Sequence, residues 1–301
     1  MNGHVAVLMG GWSKEREVSL VSGAAVATAL KDTGFQVTEI DVHQDAAALL
    51  TQLYPIPDKV FNALHGRFGE DGCVQGFLNI LGVPYTHSGV LASALAMDKP
   101  MSKRVFKEVG ITVADHQILT REQLPQTVFG SKPHVIKPLN EGSSVGVNII
   151  FEGDSYTPTE KEWPFGSHVM AEQYISGREL TVAVMGERAL GVTEIKTGRR
   201  RFYDYDAKYS DGGSIHQVPA QLPQDIYDEA MRISVLAHKT LGCRGISRAD
   251  MRYDGKDLYL LEVNTQPGMT PTSLVPEQAS YANISFENLV VWLVEHAECD
   301  G

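Results

Sequence analysis

Arg248-Ala249-Asp250-Met251-Arg252-Tyr253-Asp254-Gly255 is followed by Leu258-Tyr259-Leu260-Leu261-Glu262-Val263-Asn264-Thr265 and then by Pro267-Gly268-Met269-Thr270. Two apolar runs flank an Asp-Gly turn, which predicts a β-hairpin. Arg248 and Asp250 sit on one strand, Glu262 and Asn264 on the other. Side chains two apart on a strand share a face, so Glu262 and Asn264 point the same way. Asp250 joins that face only if the hairpin loop has an odd number of residues. Two acids and an amide on one face make a hard oxygen site suited to Mg²⁺. An arginine beside them suits phosphate or a developing oxyanion. A lone acid on a strand is usually solvated. Glu262, however, interrupts the apolar run Leu258 to Val263, and an acid inside a buried run needs a partner, of which a metal is one.

The rest of the chain bounds what such a site could serve. At 301 residues it is too long for one simple core, so two or three compact units are expected. A net charge of -11 argues against nucleic acid as the main partner, and an anionic nucleotide could be held only where positive charge is concentrated locally. Cys73, Cys243 and Cys299 are scattered, which gives neither a disulfide framework nor a zinc site and fits a reducing compartment. The N-terminus lacks the regions of a signal peptide, and no apolar run is long enough to span a membrane. A cytoplasmic protein without a membrane partner is expected.

His4 to Met9, Glu17 to Leu30 and Phe35 to Val42 read as strand, helix and strand, a β-α-β unit. Val60 to Leu64 is a further strand and Gly72 to Leu81 a helix, so a small parallel α/β domain should close near residue 97. Met97 to Val109 reads as a basic helix. Val135 to Lys137 and Val147 to Phe151 are strands around a glycine-serine loop, and Val169 to Tyr174 and Leu180 to Met185 are strands. Ile226 to Leu241 and Phe286 to Val294 are helices. Residues 198–217 are polar, aperiodic and contain Arg199-Arg200-Arg201; a loop of that length inside a domain is usually a lid or disordered. The arginine run itself reads as solvated charge.

Several loops carry residues with chemical potential. Gly10-Gly11-Trp12-Ser13-Lys14-Glu15 follows a strand and precedes a helix, where backbone amides attract anions, although a plain β-α turn has the same look. His65-Gly66 ends a strand, where a histidine often faces a ligand crevice. Lys137 ends a strand just before Glu141-Gly142-Ser143-Ser144-Val145-Gly146, a flexible, donor-rich loop able to fold over phosphates, with the lysine as a point charge. It is no Walker A loop, since Gly-Lys-Ser/Thr is missing. Glu172 and Glu179 lie around a strand end and could accept hydrogen bonds from an adenine amino group and a ribose, or simply be solvated.

Taken in order, these pieces resemble the ATP-grasp ligases and, more closely, the D-alanine–D-alanine ligase family. The resemblance spans essentially the whole chain. Its carriers are Gly10-Gly11-x-Ser13-x-Glu15-x-Glu17-x-Ser19, His65-Gly66-x-x-Gly69-Glu70-Asp71-Gly72, Met97-Asp98-Lys99, Lys137-Pro138 with Glu141-Gly142-Ser143-Ser144-x-Gly146, Tyr203-Asp204-Tyr205-x-x-Lys208-Tyr209, and Glu262-x-Asn264-Thr265-x-Pro267-Gly268-Met269-Thr270. It implies an α/β ATP-grasp fold with an N-terminal parallel domain at 1–97, a central subdomain at 98–179 and a C-terminal subdomain at 180–301 that carries the lid.

The same resemblance implies roles. Lys99 and Lys137 should contact ATP phosphates, Glu172 the adenine, Glu179 the ribose, and Gln173 and Ile175 the nucleotide, Gln173 mainly through its backbone. Asp250, Glu262 and Asn264 should hold a pair of Mg²⁺ ions, for which Mn²⁺ can substitute, with Glu262 bridging. Lys208 should reach the γ-phosphate from the lid. Glu15 should take the ammonium of the first D-alanine, helped by a Ser143–Tyr209 network, with His65 close by. Arg248 and the Gly268 amide should stabilise the tetrahedral oxyanion, and Ser273 and Leu274 should hold the second D-alanine's carboxylate. The chain departs from relatives at Gln173, where many carry lysine, and at Gln266, where others have serine.

The implied reaction is ADP-forming ligation of two D-alanines through an acylphosphate, for peptidoglycan precursors; a homodimer is admitted, the oligomeric state being otherwise open. The chemistry agrees with the bare residues: moving a charged phosphoryl group calls for cations rather than a covalent nucleophile, and an acylphosphate calls for a loop and lid that exclude water. Two other readings compete. A ligase making D-alanyl-D-lactate or D-alanyl-D-serine is disfavoured by Lys208-Tyr209. A nucleotide-binding sensor without turnover is disfavoured by the intact set Asp250, Glu262, Asn264, Lys137 and Arg248.

Overall fold

The computed structural model describes residues 3–142, 146–154, 158, 163, 166–196 and 215–301. Its first sheet begins with β1 (His4–Gly10), whose residues Val5 to Met9 are all buried, as expected of a strand covered on both faces. β1 pairs in parallel with β2 (Gln36–Val42) and β3 (Lys59–Asn62), giving the order β2-β1-β3. The β1-to-β2 crossover is α1 (Arg16–Asp32), and it packs so closely that a Cβ on Gly23 would lie 2.5 Å from that of Met9. Glycine is required there by contact with the strand. After β3 come α3 (Cys73–Leu81), α4 (Val90–Met97) and α5 (Lys99–Glu108), with α2 (Ala46–Gln52) between β2 and β3.

The second sheet is antiparallel, in the order β4-β7-β5-β6: β4 is His116–Leu119, β5 His134–Lys137, β6 Asn148–Ile150 and β7 Val169–Gln173. The third is also antiparallel, in the order β10-β9-β8-β11-β12. Here β8 is Arg178–Met185, β9 Arg188–Lys196, β10 Ile215–Gln217, β11 Ile246–Tyr253 and β12 Leu258–Asn264. One face of this sheet buries Val182, Val192 and Leu260 against Phe106 of α5 and against Ala230, Ile233 and Leu241 of the Gln224–Leu241 helix. The other face joins Ala183, Leu190 and Ile246 to Val275 and Leu289, in the helices Leu274–Tyr281 and Phe286–Glu295, and on to Val7 and Leu30 of the first unit. The end of the chain thus ties the first and third sheets into one core.

Three sequence expectations change. The basic helix expected over Met97 to Val109 is α5 alone, cut off from α4 by Asp98, which leaves helical backbone and caps the Met101 amide at 3.0 Å. The junction expected between residues 179 and 180 falls inside β8, which already pairs with β11 at Arg178 and Tyr253; the division into three units is our proposal, with that junction moved to the link at 174–177. The last three residues of the expected lid, Ile215–Gln217, form β10 against β9, while residues 198–214 lie outside the described residues.

Candidate active site

The hairpin reaches its site geometry by a different route from the one the sequence suggested. Tyr253 pairs with Leu258, so the loop holds four residues, Asp254 to Asp257, an even number. Asp250 nevertheless stands opposite Glu262, and Arg248 opposite Asn264. The register shifts between Asp250 and Met251, where Met251 pairs with Leu260, and Leu261 is the extra residue of a β-bulge. The odd-loop requirement is therefore corrected: the bulge changes the phase of β12 in mid-strand. Burial along β12 shows the slip, with Leu258 and Leu260 buried before it and Val263 after it.

Asp250 is held from two sides. Arg248 donates to both its oxygens, Nε at 2.9 Å and Nη2 at 2.7 Å, and Thr181 Oγ1 donates at 2.7 Å from β8. Glu262 Oε2 lies 3.5 Å from Lys99 Nζ. Two carboxylates and the Asn264 amide thus share one face, and every donor is an oxygen of the kind Mg²⁺ takes, so this set fits that cation.

One cleft is lined by Glu15, His65, Glu70, Lys99, Glu141, Gly142, Arg248, Glu262, Asn264, Gly268, Ser273 and Leu274, among others. Glu15 stands directly before α1 and is buried; its carboxylate packs so near Gly66 and Gly142 that a Cβ at either glycine would lie 2.8 Å and 3.2 Å from Oε2. Gly66 also needs the left-handed backbone it adopts, φ 70°. His65 contacts Glu70 Oε1 through Nδ1 at 3.0 Å and Ser22 Oγ through Nε2 at 3.4 Å. Burial lowers the His65 pKa, but the hydrogen bond and charge of Glu70, with Glu15 nearby, outweigh it and leave it above the usual histidine value. Ser273 Oγ bonds Thr270 Oγ1 at 2.7 Å and accepts from its amide at 3.0 Å, directly before the helix that starts at Leu274.

A second cleft is lined by Lys99, Lys137, Glu141, Glu172, Gln173, Ile175, Glu179, Asp250, Glu262 and Leu274, with apolar walls that include Val135, Ile149, Leu180 and Ile195. Lys99, Glu141, Glu262 and Leu274 belong to both clefts, so the two meet at Glu262. Glu172 is buried in β7 with a lysine on each oxygen, Lys103 Nζ at 2.6 Å and Lys137 Nζ at 2.7 Å. Burial raises its pKa, yet the two lysines override this and hold it down at about 2. Glu179 takes Arg252 Nη1 at 3.0 Å, and Arg252 Nε reaches the Ile175 carbonyl at 3.1 Å.

Every expected site residue among the described ones lines one or both clefts; Ser143, Lys208 and Tyr209 lie outside the described residues. Sequence reasoning missed Lys103, Arg252 and the part played by Glu70. Lys103 is one helical turn after Lys99 and Arg252 shares a strand face with Asp250, so spacing alone could have found both. Gln266, noted only as a departure, is buried and bridges units: its Oε1 accepts from Asn62 Nδ2 at 2.7 Å and its Nε2 donates to the Leu64 carbonyl. Its backbone amide donates to Asn264 Oδ1 at 2.9 Å.

Comparison with known proteins adds three findings. A family model described as D-ala D-ala ligase C-terminus matches residues 105–295, and one described as D-ala D-ala ligase N-terminus matches residues 50–88. Proteins named D-alanine–D-alanine ligase from Rhodospirillum rubrum and Parvibaculum lavamentivorans are 58% and 59% identical to the chain, covering 100% of both sequences in the first case and 99% of this chain and 98% of the relative in the second. Crystal structures of D-alanine–D-alanine ligase from Bacillus anthracis, one of them complexed with ATP, match with a TM-score of 0.82 at 32% and 33% identity, over 97% of this chain and 96% and 95% of theirs.

Proposed function

The chain belongs to the D-alanine–D-alanine ligase family, its α/β architecture is the ATP-grasp fold, and from that premise we propose that it joins two D-alanines into D-alanyl-D-alanine, converting ATP to ADP and phosphate. The observation that carries this reading is the meeting of the two clefts at Glu262. One has apolar walls, acids and lysines suited to a nucleotide; the other is polar and suited to a small zwitterion. Their junction is where a phosphoryl group would cross from one to the other.

In the first step an oxygen of the first D-alanine's carboxylate attacks the γ-phosphorus and ADP leaves. Glu15 holds that substrate's ammonium, with the His65–Glu70 pair alongside. Lys99 and Lys137 offset phosphate charge, while Glu172, Gln173, Ile175 and Glu179 position the adenine and ribose. In the second step the amine of the second D-alanine, giving up a proton, attacks the acyl carbon and phosphate leaves. Arg248 and the Gly268 amide face the oxyanion, and Ser273 with the amide of Leu274, at a helix N-terminus, receives the second carboxylate. Asp250, Glu262 and Asn264 would hold the Mg²⁺ pair, or Mn²⁺ in its place, which when bound supplies countercharge to the phosphates. Ser143, Lys208 and Tyr209 keep the roles the resemblance gives them, as does the water-excluding lid.

The product feeds peptidoglycan precursor synthesis. A cytoplasmic homodimer is part of the same proposal. Among the described residues no helix is long and apolar enough to cross a membrane. Light scattering on purified protein tests the dimer. The decisive assay follows ADP release and product mass with D-alanine, L-alanine, D-serine and D-lactate. D-alanine-dependent ADP and dipeptide are expected; nucleotide binding without turnover, or preference for D-lactate as acceptor, would overturn the reading.

A further inference from the structure

Lys103 lines neither cleft, yet it touches Glu172, which lines the second. It projects from α5 one turn beyond Lys99, and its side chain has 0% exposure. Its ammonium lies 2.6 Å from Glu172 Oε1, while Lys137 takes Oε2 at 2.7 Å from the cleft side. The two lysines therefore share one carboxylate, but only Lys137 borders the space a nucleotide would fill.

We propose that Lys103 is a positioning residue for nucleotide binding: it stays on Glu172 as a permanent countercharge, so that Lys137 can leave that carboxylate for the phosphates of ATP. This rests on the nucleotide assignment of the second cleft. The argument is one of charge. A buried carboxylate cannot be stripped of all its partners cheaply. If Lys137 were its sole cation, each binding event would strand Glu172 in an apolar strand, and Lys137 would be held back. With Lys103 in place, Glu172 remains ionised and ion-paired, and one of its oxygens is released to accept from the adenine amino group. Burial outweighs the pull of Glu172 and leaves the Lys103 pKa below the usual lysine value, so the charge Lys103 carries depends on that acid.

The test compares Lys103→Met, Lys103→Arg, Glu172→Gln and the double variant Lys103→Met/Glu172→Gln in steady-state assays and in ADP titration calorimetry. Lys103→Met should raise the KM for ATP about tenfold or more, as when a buried carboxylate loses a partner, with the KM for D-alanine and kcat within about threefold of the parent. Lys103→Arg should restore most of the loss. The double variant has no acid left to detain Lys137, so its KM for ATP should lie within about threefold of that of Glu172→Gln alone, whatever adenine contact Glu172→Gln itself loses. It also buries no uncompensated carboxylate, so it remains testable if Lys103→Met does not fold. An ATP KM in Lys103→Met that matches the parent, or a double variant tenfold or more worse than Glu172→Gln alone, would overturn the proposal. Failure of the unmutated protein to bind ADP would instead strike the nucleotide assignment.

Discussion

Glu172 and Glu262 are both acids set into apolar strands, yet the middle of the four-stranded sheet and the edge of the five-stranded sheet treat them in opposite ways. Glu172 lies on β7, paired on both sides, with a side chain 3% exposed and a lysine on each oxygen. Glu262 lies on β12 at a sheet edge, with a side chain 29% exposed, opening onto both clefts, and its nearest lysine is at 3.5 Å. One helix serves both: α5 sends Lys103 to the first acid and Lys99 to the second. The difference teaches that an acid inside an apolar strand always needs a partner, and that the tightness of the partnership separates a fixed electrostatic support from an acid left able to take a cation.

The sharpest way to break this comparison is Glu262→Gln. If Glu262 holds metal, ADP release should fall about a thousandfold or more while the melting curve hardly moves; near-parental activity with ordinary Mg²⁺ dependence would make Glu262 as structural as Glu172. Glu172 should instead show itself in acid. Its folded pKa of about 2 lies below its ordinary value of 4.5, so its stabilisation is complete above pH 4.5 and drains away as the pH falls toward 2. That loss should amount to about 3 kcal/mol in urea titrations across this window, and be absent from Lys103→Met/Glu172→Gln; equal acid sensitivity in both proteins would refute it.

Glu15→Gln probes another buried acid. The KM for D-alanine should rise about ten- to a hundredfold, the value of a charged hydrogen bond, with ADP binding by calorimetry unchanged. A D-alanine dependence like the parent's would remove Glu15 from the site. The smallest effect is expected at Gln266→Ser, which removes one bond from Asn62 and the bond to the Leu64 carbonyl. About 1 kcal/mol of stability and a few-fold in kcat/KM should be lost; a variant indistinguishable from the parent in both would show the bridge to be idle.

Much of this was legible in the sequence because local patterns report it. The β-α-β opening, the hairpin and the glycine-rich loops follow from period and turn chemistry, and the resemblance supplied the order of the parts. Other features depend on tertiary neighbours. β9, α4 and the Leu274–Tyr281 helix escaped notice, and the basic helix was begun at Met97, ahead of Asp98, which caps its start at Lys99. Lys103 was passed over because nothing in its immediate neighbours announces a partner on β7. The change of phase in the hairpin was hidden, because Leu260 and Leu261 are both apolar and only burial at 258, 260 and 263 tells them apart.

That change of phase leaves the hairpin with a spare residue. Removing Leu261 would join Leu260 to Glu262 with Met251 still opposite Leu260, Asp250 opposite Glu262 and Arg248 opposite Asn264. Deletions elsewhere in a strand usually invert every side chain beyond them; here a codon could be lost with no residue turned over. What would disappear is an apolar contact of the nucleotide cleft and the extra twist that aims Glu262. A deletion scan of residues 258–264 should therefore find one tolerated gap in fold but not in turnover, and shortening a hairpin would separate the demands of architecture from those of catalysis.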